Sequence, residues 1–426
     1  MSQTVRNNLI RELPKLELHC HLDGSLTQKS IEEIMERPVV LSELQVEPDC
    51  RNLAEYLQKF DLPIQCLQTR EGIKKASKEF LLDVAKENVR YMEVRFAPTC
   101  SINDHMTYRD VMEATLDGLE EARKECGTYY NVIVCCMRHF DLETNLAMLK
   151  GCREFLGAGV CAADLAGDET SWPMNQFREL FREAKKLDYP YTIHAGECGN
   201  VQNIIDAVDA GAARVGHGVA MKGFQEVQKL CRDHHIGVEI CPTSNLQTRA
   251  VSTLKEYPIR EFLDNGVMVT VNTDNRTVSG TNLIQELSSL ENAGVIAEPE
   301  MILLMEHALE AAFADDAEKQ EQLMQDPGII RNRRKIAAAV NNARIFRDIQ
   351  DSYGSFADYL WGWTAGEVIV ESGISSSALS DAISADLKQR GMKFVGTTII
   401  YAYLQAVGVI DAHEESCAWN RKNKGE

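Results

Sequence analysis

The sequence predicts an α/β protein built on a TIM (β/α)8 barrel, followed by a small all-α segment of the helix-hairpin-helix type. Eight short apolar runs recur between residues 15 and 275, and amphipathic stretches with apolar residues three and four apart lie between them. Near-continuous apolar strands covered by helices are typical of a parallel sheet. A barrel of eight such units takes about 250 residues, so residues 1–320 suffice for the barrel and residues 321–426 form the second segment.

The strands and helices of the barrel follow in chain order. The eight predicted strands are KLELHCHL from Lys15, YMEVRFAP from Tyr91, VIVCCMR from Val132, VCAADLAG from Val160, YTIHAGE from Tyr191, RVGHGV from Arg214, GVEICPTSN from Gly237 and VMVTVNTDN from Val267. Amphipathic helices are expected at 175–187 and 224–234, and residues 26–88 form a mostly helical insertion that could cap the barrel mouth. Active sites of such barrels lie at the carboxyl ends of the strands, so the chemistry is expected there.

Composition and charge narrow the class of protein. With 44% hydrophobic and 26% charged residues and a net charge of −19, the chain is globular and has little attraction for phosphate backbones or anionic lipid. No run approaches the roughly 20 apolar residues that span a bilayer, and no apolar signal core follows Met1, so a cytoplasmic protein without a membrane partner is expected. The 13 cysteines include no Cys-x-x-Cys pair and are expected to be reduced.

Metal-binding residue types stand on or at the end of several predicted strands. His19 and His21 are separated by one residue, so the two-residue period of a strand points both imidazoles to the same side. His194 ends the fifth strand and Asp274 ends the eighth. Zinc takes histidine nitrogens and carboxylate oxygens, and a catalytic zinc site keeps one position open for water. These four residues therefore predict one Zn²⁺ site per chain.

Two further residues are candidates for acid-base work beside this metal. Glu197 lies three residues beyond His194 on the following loop, where it suits a general acid. His217 ends the sixth strand and could be a fifth ligand, a buried packing residue, or a base that positions water; we favour the base.

Seven motifs in chain order resemble those of the adenosine deaminase family, and the resemblance extends from residue 9 to about residue 315. They are HCHLDGS (19–25), YMEVRFAP (91–98), DLAGDE (164–169), HAGE (194–197), GHG (216–218), CPTSN (241–245) and NTDN (272–275). The resemblance implies zinc-dependent conversion of adenosine and 2′-deoxyadenosine to inosine and 2′-deoxyinosine with release of ammonia, a reaction of purine salvage. Zinc, when bound, would make a water acidic enough to attack carbon 6 of the purine at neutral pH.

The resemblance also implies a role for each site residue. Zinc would be held by the three histidines and Asp274, with His21 also next to the substrate. Glu197 would protonate ring nitrogen N1, and His217 would orient and deprotonate the water. Asp23 would bind a ribose hydroxyl, and the backbone amide of Gly167 would bind ring nitrogen N3.

The last motif departs from that of the animal enzymes of the family, which carry two aspartates there. This chain has Asn275 after the metal-binding aspartate. An asparagine amide can donate a hydrogen bond to an unprotonated ring nitrogen N7, which a carboxylate can do only when it carries a proton.

Other functions are compatible with the same residues. A deaminase of adenine or of a modified adenosine would use the same zinc chemistry, although Asp23 and the DLAGDE motif favour a nucleoside. No basic cluster near the strand ends suggests a clamp for the phosphate of AMP. A non-catalytic purine-binding protein is a third possibility, against which the intact metal set and Glu197 both argue.

The C-terminal segment differs in composition and resembles another family. From Glu321 it has 12 basic and 13 acidic residues, a net charge of −1, which leaves −18 for the first 320 residues. LMQDPGIIRNRRKIAAAVNNARIF (323–346), with an Asp-Pro-Gly hairpin between two helices, SYGSFADYLW (352–361), LKQRGMKFVGTTIIYAYLQAVGVI (387–410) and DAHEESC (411–417) are similar to the later part of DNA-3-methyladenine glycosylase I, over residues 322–420.

That second resemblance implies only part of a site. His413 and Cys417 would be two of four zinc ligands, and their spacing places both on one face of a helix. The other two ligands and the catalytic pocket come from an N-terminal part without a counterpart here. We therefore expect a vestigial metal site and no glycosylase activity; the alternative is a bifunctional deaminase with residual glycosylase function.

Two surfaces of the segment could still have partners. RNRRK (331–335) could bind DNA weakly and in a salt-dependent way, although this is not the favoured interpretation. Four apolar residues would have faced the missing half and are expected to be exposed: Phe394, Ile399, Ile400 and Tyr401.

Overall fold

The computed structural model describes residues 9–47, 50–314, 332–414 and 416–417. The chain divides into two compact units, with the division between residues 314 and 315. Each unit has a hydrophobic core of its own.

The first unit is a (β/α)8 barrel, as the sequence predicts. Its strands are β1 Lys15–His21, β2 Val89–Phe96, β3 Tyr129–Met137, β4 Val160–Ala166, β5 Thr192–Ala195, β6 Arg214–His217, β7 Gly237–Ile240 and β8 Met268–Val271. They pair in parallel as two four-stranded sheets, β1 to β4 and β5 to β8. The parallel bridges Cys20 to Asp274 and Ala163 to Tyr191 join the sheets at both seams and close the barrel.

The helices of this unit lie in three groups along the chain. The insertion between β1 and β2 holds α1 Gln28–Met35, α2 Leu41–Leu44, α3 Leu53–Leu57, α4 Asp61–Cys66 and α5 Arg70–Ala85. The middle group is α6 Tyr108–Cys126, α7 Leu142–Cys152, α8 Arg178–Lys186, α9 Val201–Ala210 and α10 Gln225–Asp233. The last group is α11 Pro242–Gln247, α12 Ile259–Asp264, α13 Arg276–Ser279, α14 Leu283–Asn292 and α15 Glu298–Ala311.

Helix α6 shows how local sequence sets the bounds of an element. Thr107 and Asp110 form a capping box, because the Thr107 hydroxyl accepts from the Asp110 amide and the Asp110 carboxylate accepts from the Thr107 amide. Gly127 ends the helix with φ near +78°, a left-handed conformation that glycine adopts without strain. The buried face of α6 joins the main hydrophobic core between the helices and the sheet.

The inside of the barrel is charged rather than apolar. Arg95 on β2 bonds Asp164 at 3.1 Å and Glu239 at 2.9 Å, and all three side chains are fully buried. At the base of this network, Arg214 bonds both Glu239 and Glu93 at 2.5 Å. Buried charges are tolerated only when they are paired and hydrogen-bonded, so these residues hold the barrel interior in one arrangement.

The second unit is helical with one small strand pair. Its helices are α16 Arg333–Tyr353, α17 Phe356–Gly362, α18 Ala378–Gln389 and α19 Thr397–Ala406, and two-residue strands β9 Ile369–Val370 and β10 Ile410–Asp411 pair in parallel. The predicted Asp-Pro-Gly hairpin and part of RNRRK lie outside the described residues.

Two expectations for this unit were wrong in part. Ile400 and Tyr401 are buried in the unit's own core, because α19 packs on α18, whereas Phe394 and Ile399 are 57% and 56% exposed. Residues 412–414 and 416–417 are not helical, so His413 and Cys417 do not share a helix face. The His413 imidazole instead bonds the Asp411 carboxylate at 2.6 Å.

In the part of the chain that the structure describes, no helix is both long enough and apolar enough to cross a membrane. Among the described residues, which include all 13 cysteines, no disulfide is formed.

Candidate active site

Four metal-binding side chains meet at the carboxyl ends of the strands. One ligand atom from each of His19, His21, His194 and Asp274 lies within 4.8 Å of every other, and all four residues are buried. They come from β1, from the end of β5 and from the residues after β8. Asp274 lies next to β1 because its bridge to Cys20 closes the barrel.

The ring nitrogens show that this cluster fits a cation. The His19 Nδ1 bonds Glu239 at 2.8 Å and the His194 Nδ1 bonds Asp164 at 2.9 Å, so the Nε2 atoms of both rings carry lone pairs. The His194 Nε2 faces the His21 Nε2 at 3.1 Å, and within the described part of the chain the buried His19 Nε2 has no hydrogen-bond partner. Ligands at about 2.0–2.1 Å from a tetrahedral zinc lie about 3.3 Å apart. The set therefore suits zinc.

The side chains of this cluster are themselves held by buried polar groups. Arg95 bonds both Glu239 and Asp164, so one guanidinium fixes the two carboxylates that orient two ligand imidazoles. The Ser244 hydroxyl donates to Oδ2 of Asp274 at 2.6 Å and leaves Oδ1 toward the histidines.

Backbone conformation at the strand ends also positions the site. His217 and Asp274 adopt left-handed φ angles of 64° and 59°, an arrangement that non-glycine residues adopt at a cost and that is frequent at functional sites. Gly216 packs against the ligands, since a Cβ there would lie 2.9 Å from Cε1 of His19. Gly167 has φ near +101°, which requires glycine.

Glu197 and His217 lie side by side near the cluster. The Glu197 Oε2 is 3.7 Å from the His217 Nε2, and both residues are buried. Burial raises the pKa of Glu197 well above its usual value, with Asp274 and Glu169 adding to the effect. Burial lowers the pKa of His217 well below its usual value. Burial therefore favours the protonated carboxyl of Glu197 and the neutral imidazole of His217.

These side chains open into one pocket of about 370 Å³. Its lining includes Asp23, Gly167 and Asn275, so all the predicted substrate-binding residues meet there. Oδ1 of Asp23 and Oδ1 of Asn275 are buried and have no hydrogen-bond partner among the described residues. Burial raises the pKa of Asp23 to about 7. Such unpaired polar atoms are expected where a ligand supplies the missing bonds.

The insertion forms one wall of this pocket and contributes residues that the sequence did not single out. They are Leu53, Tyr56, Leu57, Phe60, Asp61 and Ile64. The sequence analysis also missed Glu239, Ser244 and Arg95, although each lies within a predicted strand or a quoted motif. The alternation of side chains along β2 and β7 could have placed Arg95 and Glu239 inside the barrel.

A closed parallel barrel with a buried three-histidine, one-aspartate cluster and an acid beside an imidazole defines a metal-dependent hydrolase of the TIM-barrel class. The adenosine deaminase family model matches residues 14–326. The chain belongs to the adenosine deaminase family and is a hydrolytic deaminase.

Relatives of known name agree with this assignment. An adenosine deaminase of Enterococcus faecalis is 38% identical over 320 residues, 73% of this chain and 95% of that protein. The structure of the N6-methyl-AMP deaminase of Arabidopsis thaliana is 28% identical, with a TM-score of 0.65 over 74% of this chain and 97% of that one. An Arabidopsis relative solved in complex with IMP is 26% identical, with a TM-score of 0.66 over 74% and 96% of the two chains.

The second unit matches a different family. The methyladenine glycosylase family model matches residues 304–421. Within the described residues, His413 and Cys417 do not belong to a group of three or more side chains that could hold a metal.

Proposed function

We propose that the barrel catalyses zinc-dependent deamination of adenosine and 2′-deoxyadenosine to the inosine nucleosides and ammonia, with one zinc ion per chain. The observation that carries this proposal is a cluster of four side chains that could hold a metal, three of which line one pocket together with Glu197 and His217. His19, His21, His194 and Asp274 would hold the zinc, which when bound makes a water acidic enough to react at neutral pH.

The acid-base work falls to Glu197 and His217. The protonated Glu197 is placed to give its proton to ring nitrogen N1, which makes carbon 6 open to attack by water. The Asn245 Nδ2 donates to the His217 Nδ1 at 3.0 Å, so the neutral imidazole carries its proton on Nε2, which faces the pocket and can orient the water by donating to it. Each such group contributes about 10²- to 10⁴-fold to the rate.

Asp23, Asn275 and Gly167 would fix the nucleoside. The unpaired Asp23 Oδ1 can accept a hydrogen bond from a ribose hydroxyl. The side-chain amide of Asn275 can donate to ring nitrogen N7 without titrating. The positive φ of Gly167 permits its backbone to lie close to the purine, where its amide can bind ring nitrogen N3.

The pocket favours a nucleoside over a nucleotide. Relatives act on N6-methyl-AMP or bind IMP, so a nucleotide is the alternative substrate. No lysine or arginine is among the described residues that line this pocket, whereas Asp61 and Asp168 are. A phosphate group there would meet carboxylates and no cation, which disfavours it.

A substrate panel tests this proposal. Adenosine, 2′-deoxyadenosine, adenine, AMP and N6-methyl-AMP are compared by kcat/KM at equal zinc content. We expect the two nucleosides to exceed the other three compounds by about 100-fold or more, because only they can satisfy Asp23 without placing phosphate beside Asp61 and Asp168. Preference for a nucleotide would overturn the substrate assignment, and preference for adenine would remove the role given to Asp23.

For the second unit we propose no glycosylase activity and no complete zinc site. The support is the single histidine and cysteine pair without a third ligand among the described residues. Release of 3-methyladenine from alkylated DNA by the purified chain would overturn this proposal and favour a bifunctional enzyme, and a salt-dependent gel shift would reveal DNA binding through RNRRK.

A further inference from the structure

A buried carboxylate outside the proposed catalytic set holds the loop that carries Glu197. Glu169, the last residue of the DLAGDE motif, is 2% exposed. Its Oε2 accepts from the backbone amide of Gly196 at 2.9 Å, and its Oε1 accepts from the backbone amide of Cys198 at 2.7 Å. The two amides belong to the residues immediately before and after Glu197, so one carboxylate binds the loop on both sides of the acid.

A third hydrogen bond links Glu169 to α9, the helix that follows the Glu197 loop. The Asn203 Nδ2, in the first turn of α9, donates to Oε2 of Glu169 at 2.7 Å. The Oδ1 of the same asparagine accepts from the Met174 amide at 2.8 Å, so Asn203 ties together the segments that follow β4 and β5. All three partners of Glu169 are N–H donors. Only an ionised carboxylate can satisfy all three, because an amide side chain would turn an NH₂ group toward a donor.

We propose that Glu169 is a positioning residue for Glu197: by binding the two flanking amides it fixes the loop so that the Glu197 carboxyl reaches the substrate ring. This inference rests on the acid role proposed for Glu197. Glu169 does not line the substrate pocket, so it acts through the backbone and not on the purine. Misplacement of a reacting group by about 1 Å can cost on the order of 100-fold in rate, so a clamp on this loop has a measurable catalytic effect.

The test compares Glu169→Gln and Glu169→Asp with a matched control, Asp206→Asn. Asp206, on α9, is another buried carboxylate. It accepts hydrogen bonds from Arg178 and Gln202 and does not contact the Glu197 loop. The readouts are zinc content, kcat and KM for adenosine, amide hydrogen exchange at 196–198, and the affinity for 1-deazaadenosine. That analogue carries carbon in place of N1, so its binding does not use the proton of Glu197.

We expect Glu169→Gln to lower kcat by about 10- to 100-fold while KM and the affinity for 1-deazaadenosine stay within about threefold. Zinc content should equal that of the native chain, and amides 196 and 198 should exchange faster. Glu169→Asp keeps the charge on a shorter side chain, so its kcat should lie between those of the native chain and Glu169→Gln. If the glutamine variant fails to fold, the same comparison is made with Glu169→Asp. Asp206→Asn should match the native chain in every readout.

Two results would overturn the inference. One is a native kcat in a folded Glu169 variant whose loop amides exchange faster. The other is a loss of kcat that is matched by loss of zinc or by an equal rise in KM, which would show a general structural role. Failure of the native chain to deaminate adenosine would instead refute the proposed function, while the exchange rates would still show whether Glu169 holds the loop.

Discussion

Single polar atoms set the geometry of the metal cluster. Each of His19, His194 and Asp274 has one hydrogen bond to a buried group on the side away from the cluster. For Asp274 that group is the Ser244 hydroxyl, which can be removed without leaving a buried charge unpaired. Outer hydrogen bonds of this kind fix the direction of a ligand's lone pairs, and their loss weakens metal binding.

We predict that Ser244→Ala weakens zinc binding by about 10- to 100-fold, because Asp274 becomes free to rotate away from the histidines. Competition with a chromophoric chelator measures the dissociation constant. Ser77→Ala removes another fully buried serine hydroxyl, on α5 of the insertion, and should leave zinc affinity unchanged. Equal zinc affinity in Ser244→Ala and the native chain would show that the hydroxyl does not orient the carboxylate.

Much of the candidate site at this scale could be predicted from the sequence. The spacing of His19 and His21 on one strand identifies them as candidates. His194 and Asp274 are identified by their positions at strand ends. The hydrogen-bond partners of Glu239 and Glu169 could not be predicted, because those partners come from other strands and loops. An acidic residue in an apolar run does not indicate which group it bonds. Those pairings depend on closure of the barrel.

At the scale of elements, the helical insertion supplies one wall of the pocket. Leu57 and Phe60 line the pocket, and the Tyr56 hydroxyl bonds Ser279 at 2.6 Å and so fixes α3 to the end of α13. Apolar side chains here would cover a face of the bound purine. Their contribution is to affinity and not to the proton transfers.

Leu57→Ala is predicted to raise KM for adenosine by about 10-fold, because loss of a buried leucine contact of this size costs about 1–2 kcal/mol. Zinc content and kcat should remain native. Leu41→Ala is the matched control, since Leu41 is another leucine of the insertion, 49% exposed and absent from the pocket lining. Steady-state kinetics decide the matter: an unchanged KM would mean that the insertion does not contact the nucleoside.

The eight strands were predictable because each is a short apolar run that ends in polar residues, and each of the eight runs overlaps a strand. The helical nature of residues 26–88 was predictable in the same way. Which of its residues reach the pocket was not, because insertion helices are placed by contacts with distant segments such as Ser279. The helix expected at His413 and Cys417 was wrong, since two residues four apart are compatible with a helix but do not require one.

At the scale of the whole molecule, the barrel unit ends in a short segment, residues 311–314, that packs on the barrel. The Arg214 guanidinium lies 4.0 Å from the centre of the Phe313 ring and donates to the Ala311 carbonyl at 2.9 Å. The Phe313 amide donates to Glu93 at 2.6 Å. Residues 311–314 are therefore part of the barrel, and the division into two units falls immediately after them.

A chain that ends after Ala314 should keep kcat/KM for adenosine within about threefold of the full chain, because relatives cover only 73% of this chain. A chain that ends after Glu310 should bind zinc more weakly and unfold at a lower temperature, because Arg214 loses its contacts with Ala311 and Phe313. Arg214 also bonds Glu239, the carboxylate that orients His19. Thermal unfolding and zinc titration of both truncations measure this. Equal stability of the two would contradict the role given to residues 311–314.

The two-unit organisation was visible in the sequence as a change in charge and in motifs. The exposure of the second unit was predicted only in part: Ile400 and Tyr401 turn inward because α19 supplies the unit's own small core, while Ile399 stays exposed. Helical periodicity alternates faces within a few residues, so neighbours in sequence need not share an environment.

Turnover of adenosine by the full chain, before and after removal and restoration of zinc and beside the zinc-loaded variant Glu197→Gln, tests the central claim most directly. We predict that a chelator abolishes ammonia release and that added zinc restores it. The variant should bind zinc as the native chain does and lose about 10²- to 10⁴-fold in kcat. A zinc-loaded native chain that leaves adenosine unchanged, or a variant that turns over at the native rate, would contradict the account.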